Sequence, residues 1–234
     1  MLLGCSAPPF GEGGEVPSWK PLTQAEWLDL RGALDAERAT TPRSPWAANV
    51  RVTLRVPGRT VTGRGAVASY PGVAFRMILV GGPGATLLDV WVTRAKWRVA
   101  IPPVGRILRG GRDAPADLPV AFLRWWFCAP LQGTLFAGSR LPGGTTLFVL
   151  RDGDAVVELR EGPRGLEASR RDHGKTQTVR QSTRSWLPAP GDAVHYEAGD
   201  VTVDLAVESL AEGQPAAEAF MDPDAESGPR DGAP

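Results

Sequence analysis

Few residues in this 234-residue chain have types and spacing suited to covalent or metal chemistry. There are only two histidines: His173 follows Asp172 in a polar turn, and His195 precedes Tyr196 in an alternating stretch. Neither has a histidine or cysteine partner at metal-ligand spacing. No serine, histidine and acid form a recognisable triad. Gly63-Arg64-Gly65-Ala66-Val67-Ala68 formally fits a dinucleotide fingerprint. No helix follows it, so no helix N-terminus exists there to hold a pyrophosphate, and a bent strand is expected. Gly81-Gly82-Pro83-Gly84 lacks the lysine and Ser/Thr of a phosphate loop. Asp152 and Asp154 flank Gly153, which suits a hairpin turn better than a cation site. The sequence therefore predicts no catalytic residue, no metal, no cofactor and a non-enzymatic protein.

The cysteines point to a different chemistry. Cys128 lies in an apolar run and is expected to be a buried free thiol. Cys5 has no strand or helix pattern around it. Leu2-Leu3-Gly4-Cys5 resembles the end of a bacterial lipoprotein signal. That resemblance implies a lipid on the Cys5 thiol, with the Pro/Gly-rich residues 6–18 as a leash. The chain would then be lipid-anchored in the outer membrane, facing the periplasm. Two cysteines so placed make a poor disulfide framework.

Formal net charge is zero but uneven. Residues 211–234 carry six acids (Glu212, Glu218, Asp222, Asp224, Glu226, Asp231) and one base, Arg230. This stretch is expected to be a disordered acidic tail. The rest is mildly basic and too diffuse for a nucleic-acid footprint. No stretch reaches the roughly 18 apolar residues of a membrane-spanning helix.

The elements follow from periodicity. In residues 23–40, Trp27, Leu30 and Leu34 share a helical face, and Thr23 with Glu26 makes a capping box. The period then becomes two: Val50, Val52, Leu54 and Val56 alternate with Arg51, Thr53 and Arg55. Further strands carry Phe75, Met77 and Leu79; Leu88, Val90 and Val92; and Trp97 and Val99. An apolar helix is expected at 118–129, with Leu118, Phe122, Leu123, Trp125 and Trp126. Strands resume to Leu210, giving about eleven, with the polar stretch 164–186 expected at an edge. So long a sheet must curl. The predicted fold is mainly β with α: a curled antiparallel half-barrel with a helical lid, spanning residues 19–210.

This order resembles the Lol-type outer-membrane lipoprotein carriers and receptors, LolA and LolB, and is closer to the membrane-anchored receptor. The resemblance rests on "LPVAFLRWWFCAPLQG" at 118–133, on "RMILVGGPGATLLDVWV" at 76–92, and on the Cys-Ser start, linker and tryptophan-bearing first helix. It implies a half-barrel that holds acyl chains, takes lipoproteins from a LolA-like periplasmic carrier and works as a monomer. It also implies a membrane-facing loop at Gly81, Gly82, Pro83 and Gly84. The receptor has a protruding leucine where this chain has Pro83.

On that reading Val52, Leu54, Phe75, Met77, Leu79, Leu88, Val90, Val92, Trp97 and Val99 line an apolar lumen. Leu118, Phe122, Leu123, Trp125 and Trp126 form its lid. Each buried methylene contributes roughly 0.8 kcal/mol, so displacing a lid would offset part of the gain and permit release. The alternative is an interaction lipoprotein whose interior is filled and whose surface binds a protein. Both give the same apolar stripes.

Overall fold

The computed structural model describes residues 22–112, 120–128 and 131–224. Cys5 and Leu118 lie outside them, as do the side chains of Phe122 and Pro83.

A single sheet of thirteen antiparallel strands carries the fold. The first meander is β1 (Trp46–Val56), β2 (Arg59–Tyr70), β3 (Ala74–Val80), β4 (Thr86–Thr93), β5 (Trp97–Ile101) and β6 (Arg106–Gly110). The second is β7 (Thr134–Leu141), β8 (Thr145–Asp152), β9 (Ala155–Gly162), β10 (Gly165–Asp172), β11 (Lys175–Gln181), β12 (Ala193–Ala198) and β13 (Val201–Leu210). The first strand pairs with the last, so β1 and β13 form the seam, and β6 and β7 are the two free edges. The sheet is curled and unclosed, a half-barrel. The expected architecture holds, with two strands more than expected. Both of the extra strands are edges. The polar strands β10 and β11 are interior to the sheet, between β9 and β12, and not at an edge as their composition suggested.

Register explains the curl. Arg51 in β1 faces Ala206 of β13, which faces Ala193 at the start of β12. On the other side Arg51 faces Arg64 of β2, which faces Val80 at the end of β3. One row across the sheet thus meets the beginning of one meander and the end of the other. This stagger is what a sheet needs in order to bend about an axis tilted to its strands.

Two helices cover the inner face. α1 (Gln24–Thr40) starts on the expected capping box, Thr23 with Glu26, and buries Leu30 and Leu34. It lies against β7: a Cβ on Gly138 would stand 3.2 Å from Leu30 Cδ1. The second cover is α2 (Val120–Leu123), which continues as a π-helical turn over Arg124–Cys128. Because β6 and β7 are consecutive in sequence but at opposite edges, the chain between them must cross the sheet, and α2 is part of that crossing.

The sheet needs glycine at particular points. Gly65 in β2 is one: a Cβ there would stand 1.9 Å from the Ile78 carbonyl oxygen. That close backbone approach accounts for the Gly63-Arg64-Gly65 run, as a bent strand would.

Residues 211–224, within the stretch expected to be disordered, have a defined course here. A 3-10 turn at Ala217–Phe220 lies over the outer face of the first meander. Trp91 Nε1 donates to the Phe220 carbonyl at 3.0 Å, and the Tyr70 and Phe220 rings are 5.7 Å apart. Asp224 then accepts from Arg98 Nε at 3.0 Å and from Arg109 Nε.

Candidate functional site: an aromatic-roofed cleft on the inner face

Alternation places the predicted lumen residues on one face. Val52, Phe75, Met77, Leu79, Val90, Val92, Trp97 and Val99 are buried in one apolar cluster, and Leu54 and Leu88 pack against it half-buried. Leu123, Trp125 and Trp126 of the crossing segment belong to the same cluster. Phe127 stacks on Phe75 at 4.5 Å between ring centres and tilts against Trp46 at 6.2 Å. The Gly81–Gly84 loop holds a 3-10 turn, Gly82–Gly84, between β3 and β4.

The crossing segment is held by a few polar bonds at its ends. Arg124 Nε donates to the Thr93 carbonyl at 2.9 Å and its Nη2 to Gly111 at 3.0 Å, with Arg112 O taking Nη1. The Gly72 N–H donates to the Cys128 carbonyl at 2.8 Å. In the middle, Trp126 Nε1 donates to Gln181 Oε1 at 3.1 Å. Gln181 Nε2 in turn donates to the Ser185 carbonyl at 2.6 Å, so this buried amide ties the roof to the β11–β12 connection. Trp126 also meets Trp186 of that connection at 5.2 Å between ring centres.

Where roof, connection and the end of α1 converge there is a cleft. Trp46, Val67, Trp126, Phe127, Trp186, Val194, Leu205 and Val207 wall it with apolar surface. Thr41, Gln181 and Asp192 are its polar groups. The space inside, measured for the centre of a water-sized sphere, is about 30 Å³. That is room for a water or two and not for a hydrocarbon chain. In this conformation the protein's own roof side chains occupy the hollow.

Trp46 and Trp186 were not among the residues singled out from the sequence. Their signal is weak: one opens a strand and the other sits in an irregular connection, and only the register brings them to Trp126.

The titrating groups do not suggest catalysis. Burial pushes the Cys128 thiol up to about 12, so it stays neutral and unreactive. Burial likewise raises the Tyr196 phenol to about 12. His195 Nδ1 is 2.6 Å from Asp204 Oδ1, and His173 Nδ1 is 2.6 Å from Asp172 Oδ1. Partial burial would raise the Asp204 carboxyl, but hydrogen bonds from His195 and Arg55 hold it below its ordinary value. Among the described residues no three His, Cys, Asp or Glu converge to hold a metal. Asp152 pairs with Arg170 Nη1 at 2.5 Å, beside a hairpin glycine of positive φ.

No protein-family model matches the sequence, and a search of curated proteins returns no match. Solved structures do match. A LolA superfamily protein from Nitrosomonas europaea superposes with a TM-score of 0.53 at 11% identity, over 82% of this chain and 97% of that one. A domain from Vibrio parahaemolyticus, named for outer membrane lipoprotein sorting, gives 0.52 at 11% identity, over 82% and 95%. A DUF1329 family protein from Desulfovibrio piger gives 0.51 at 11% identity, over 86% and 98%. At this identity the likeness shows the fold alone: the chain shares the half-barrel architecture of these proteins.

Proposed function

We propose that this protein binds the acyl chains of lipoproteins or lipids in its half-barrel and serves lipoprotein localisation to the outer membrane. It does so as a non-enzymatic carrier or receptor. It is anchored through a lipid on Cys5, faces the periplasm and receives cargo from a LolA-like partner. The supporting observation is the roof. One crossing segment, nearly all apolar, fills the hollow with Leu123, Trp125, Trp126 and Phe127. It is tied at mid-length by the Trp126–Gln181 bond. A hydrocarbon chain would replace these side chains like for like.

The displaced roof supplies the energetic balance. Burying a chain contributes roughly 0.8 kcal/mol per methylene, and exposing the roof's own apolar area costs about 25 cal/mol per Å². Net affinity is then a difference that allows both capture and release.

The second reading, a filled interior with a surface partner, is favoured by one observation: the cleft as it stands has no room for a hydrocarbon chain. One measurement separates the two. The full chain is titrated with a fluorescent fatty acid and then with the Gln181→Leu variant, which unties the roof. Saturable binding that strengthens in the variant supports acyl binding. No saturable binding by either protein overturns it in favour of the second reading.

A further inference from the structure

The inner row that floors the cleft does not stay apolar. Read strand to strand, Leu205 faces Val194, Val194 faces Gln181, and Gln181 faces Leu166. Leu166 faces Glu161, Glu161 faces Thr146, and Thr146 faces Arg140. In β9, Val157 and Leu159 point into the core, so Glu161, two residues on, points the same way. Adjacent strands stand about 4.8 Å apart, which puts the Glu161 backbone roughly 10 Å from that of Gln181.

Glu161 is an unusual group for such a place. Its side chain is only 6% exposed, and it pairs with Arg184, whose side chain is 58% exposed. Glu161 Oε1 has no hydrogen-bond partner besides that ion pair among the described residues. The neighbouring Arg140 is already satisfied, by Asp29 Oδ2 at 3.0 and 3.1 Å and by Thr146 Oγ1 at 2.6 Å. If Arg184 withdraws, one inward carboxylate, two strands from the Gln181 side of the cleft, loses its ion-pair partner. A buried charge in that condition is strongly unfavourable.

Arg184 belongs to the connection between β11 and β12, which also supplies Trp186, Pro188 and Asp192 to the cleft wall. The ion pair and the cleft wall thus share one connection. We propose that Glu161 is the head-group subsite of the cleft, taking a positively charged nitrogen of an amphiphile in place of Arg184. The apolar part of the same ligand lies along Val194, Leu205 and Trp126. The inference rests on the acyl-binding reading above and names the class of ligand: an amine-bearing amphiphile.

The test is competition at pH 7 on the full chain, with dodecylamine, dodecanol and dodecanoate displacing a fluorescent fatty acid below their micellar concentrations. The amine is protonated at this pH. A charge-assisted bond in a desolvated site should let dodecylamine act at about tenfold lower concentration than dodecanol. Glu161→Gln, nearly isosteric, should abolish that preference while leaving dodecanol unchanged. Arg184→Ala, at a largely exposed side chain, should enlarge it by removing the internal competitor. Equal displacement by amine and alcohol, or a preference that survives Glu161→Gln, overturns the subsite and leaves acyl binding standing. Failure of the fluorescent probe to bind at all removes both. Dihexanoyl phosphatidylethanolamine and an acylated peptide bearing one lysine then distinguish a lipid head group from a lipoprotein side chain. The true source is the one whose advantage is lost in Glu161→Gln, and loss in neither overturns the proposal.

Discussion

Two helical segments cover one sheet face, and they are built on opposite plans. α1 over the second meander is amphipathic and capped, and it is one short connection away from β1. Its Arg38 donates to the Leu131 and Gly133 carbonyls, at 3.2 and 2.6 Å from Nη2, and its Asp29 accepts from Arg140. The roof over the first meander is apolar on nearly every side, short, partly π-helical, and fastened at separated points. A π-helical turn is rare and recurs at functional sites. The contrast teaches that covering apolar surface can serve two purposes in one molecule. On the acyl-binding reading proposed above, α1 stays in place over its half, whereas the roof closes the other half on terms a ligand can match.

Substitutions can break that contrast. The largest effect is expected from Leu34→Ala, which empties a fully buried site under α1 and should lower global stability by about 2–5 kcal/mol in denaturant unfolding. Leu123→Ala in the roof removes a side chain of equal size and burial, and should cost clearly less if the roof opens locally as proposed. Equal losses would mean that the two covers are equivalent.

Next comes the latch. Gln181→Leu takes away the acceptor of the Trp126 indole and the donor to Ser185, and should destabilise by about 1–3 kcal/mol. Amide exchange should quicken over residues 120–128 and not in α1. Cys128 reports the same opening. Because its thiol is buried with its pKa pushed up to about 12, labelling by a maleimide at pH 8 should be slow in the parent protein and faster in Gln181→Leu. Rapid labelling of the parent would contradict a closed roof.

Smaller effects belong to the periphery. Thr23→Ala should cost about 1 kcal/mol by removing the α1 cap. On the outer face, the Arg109 hydrogen bond, with Arg98, holds the Asp224 carboxyl below its ordinary value. Its contribution is therefore complete above the unfolded carboxylate range near pH 4 and is lost as the pH falls below it. Trp91 fluorescence should report detachment of residues 217–224 in that acid range, and Asp224→Asn should detach them at pH 7. Unchanged Trp91 emission down to pH 3 would deny the clamp.

Much of this was legible in the sequence. Alternation gave the inner faces of β1, β3, β4 and β5, and the Thr23–Glu26 box marked the start of α1. The two edge strands were not legible, for physical reasons. β6, Arg-Ile-Leu-Arg-Gly, has two arginines in five residues and leaves Ile107 exposed, as an unpaired edge tolerates. β7 carries an irregularity between Leu135 and Ala137, which breaks the period of two just where a strand would be recognised. Polarity misplaced β10 and β11 because their outer faces carry the charge while Leu166, Ala168 and Val179 still point inward. Glu161 was legible in principle: Val157, Leu159 and Glu161 share a parity, and a carboxylate on an apolar stripe is a signal. The Trp126–Gln181 bond spans 55 residues and leaves no trace in local pattern.

The pairing of the first strand with the last has a consequence for how the chain could be divided. Eight facing residue pairs stitch β1 to β13, while the outer edges are joined covalently only through the stretch that includes the roof. A peptide bond severed between Arg112 and Val120 would leave every ladder among the described residues intact. The two fragments should stay together as one particle, held by the β1–β13 seam, so the molecule could be reassembled from halves.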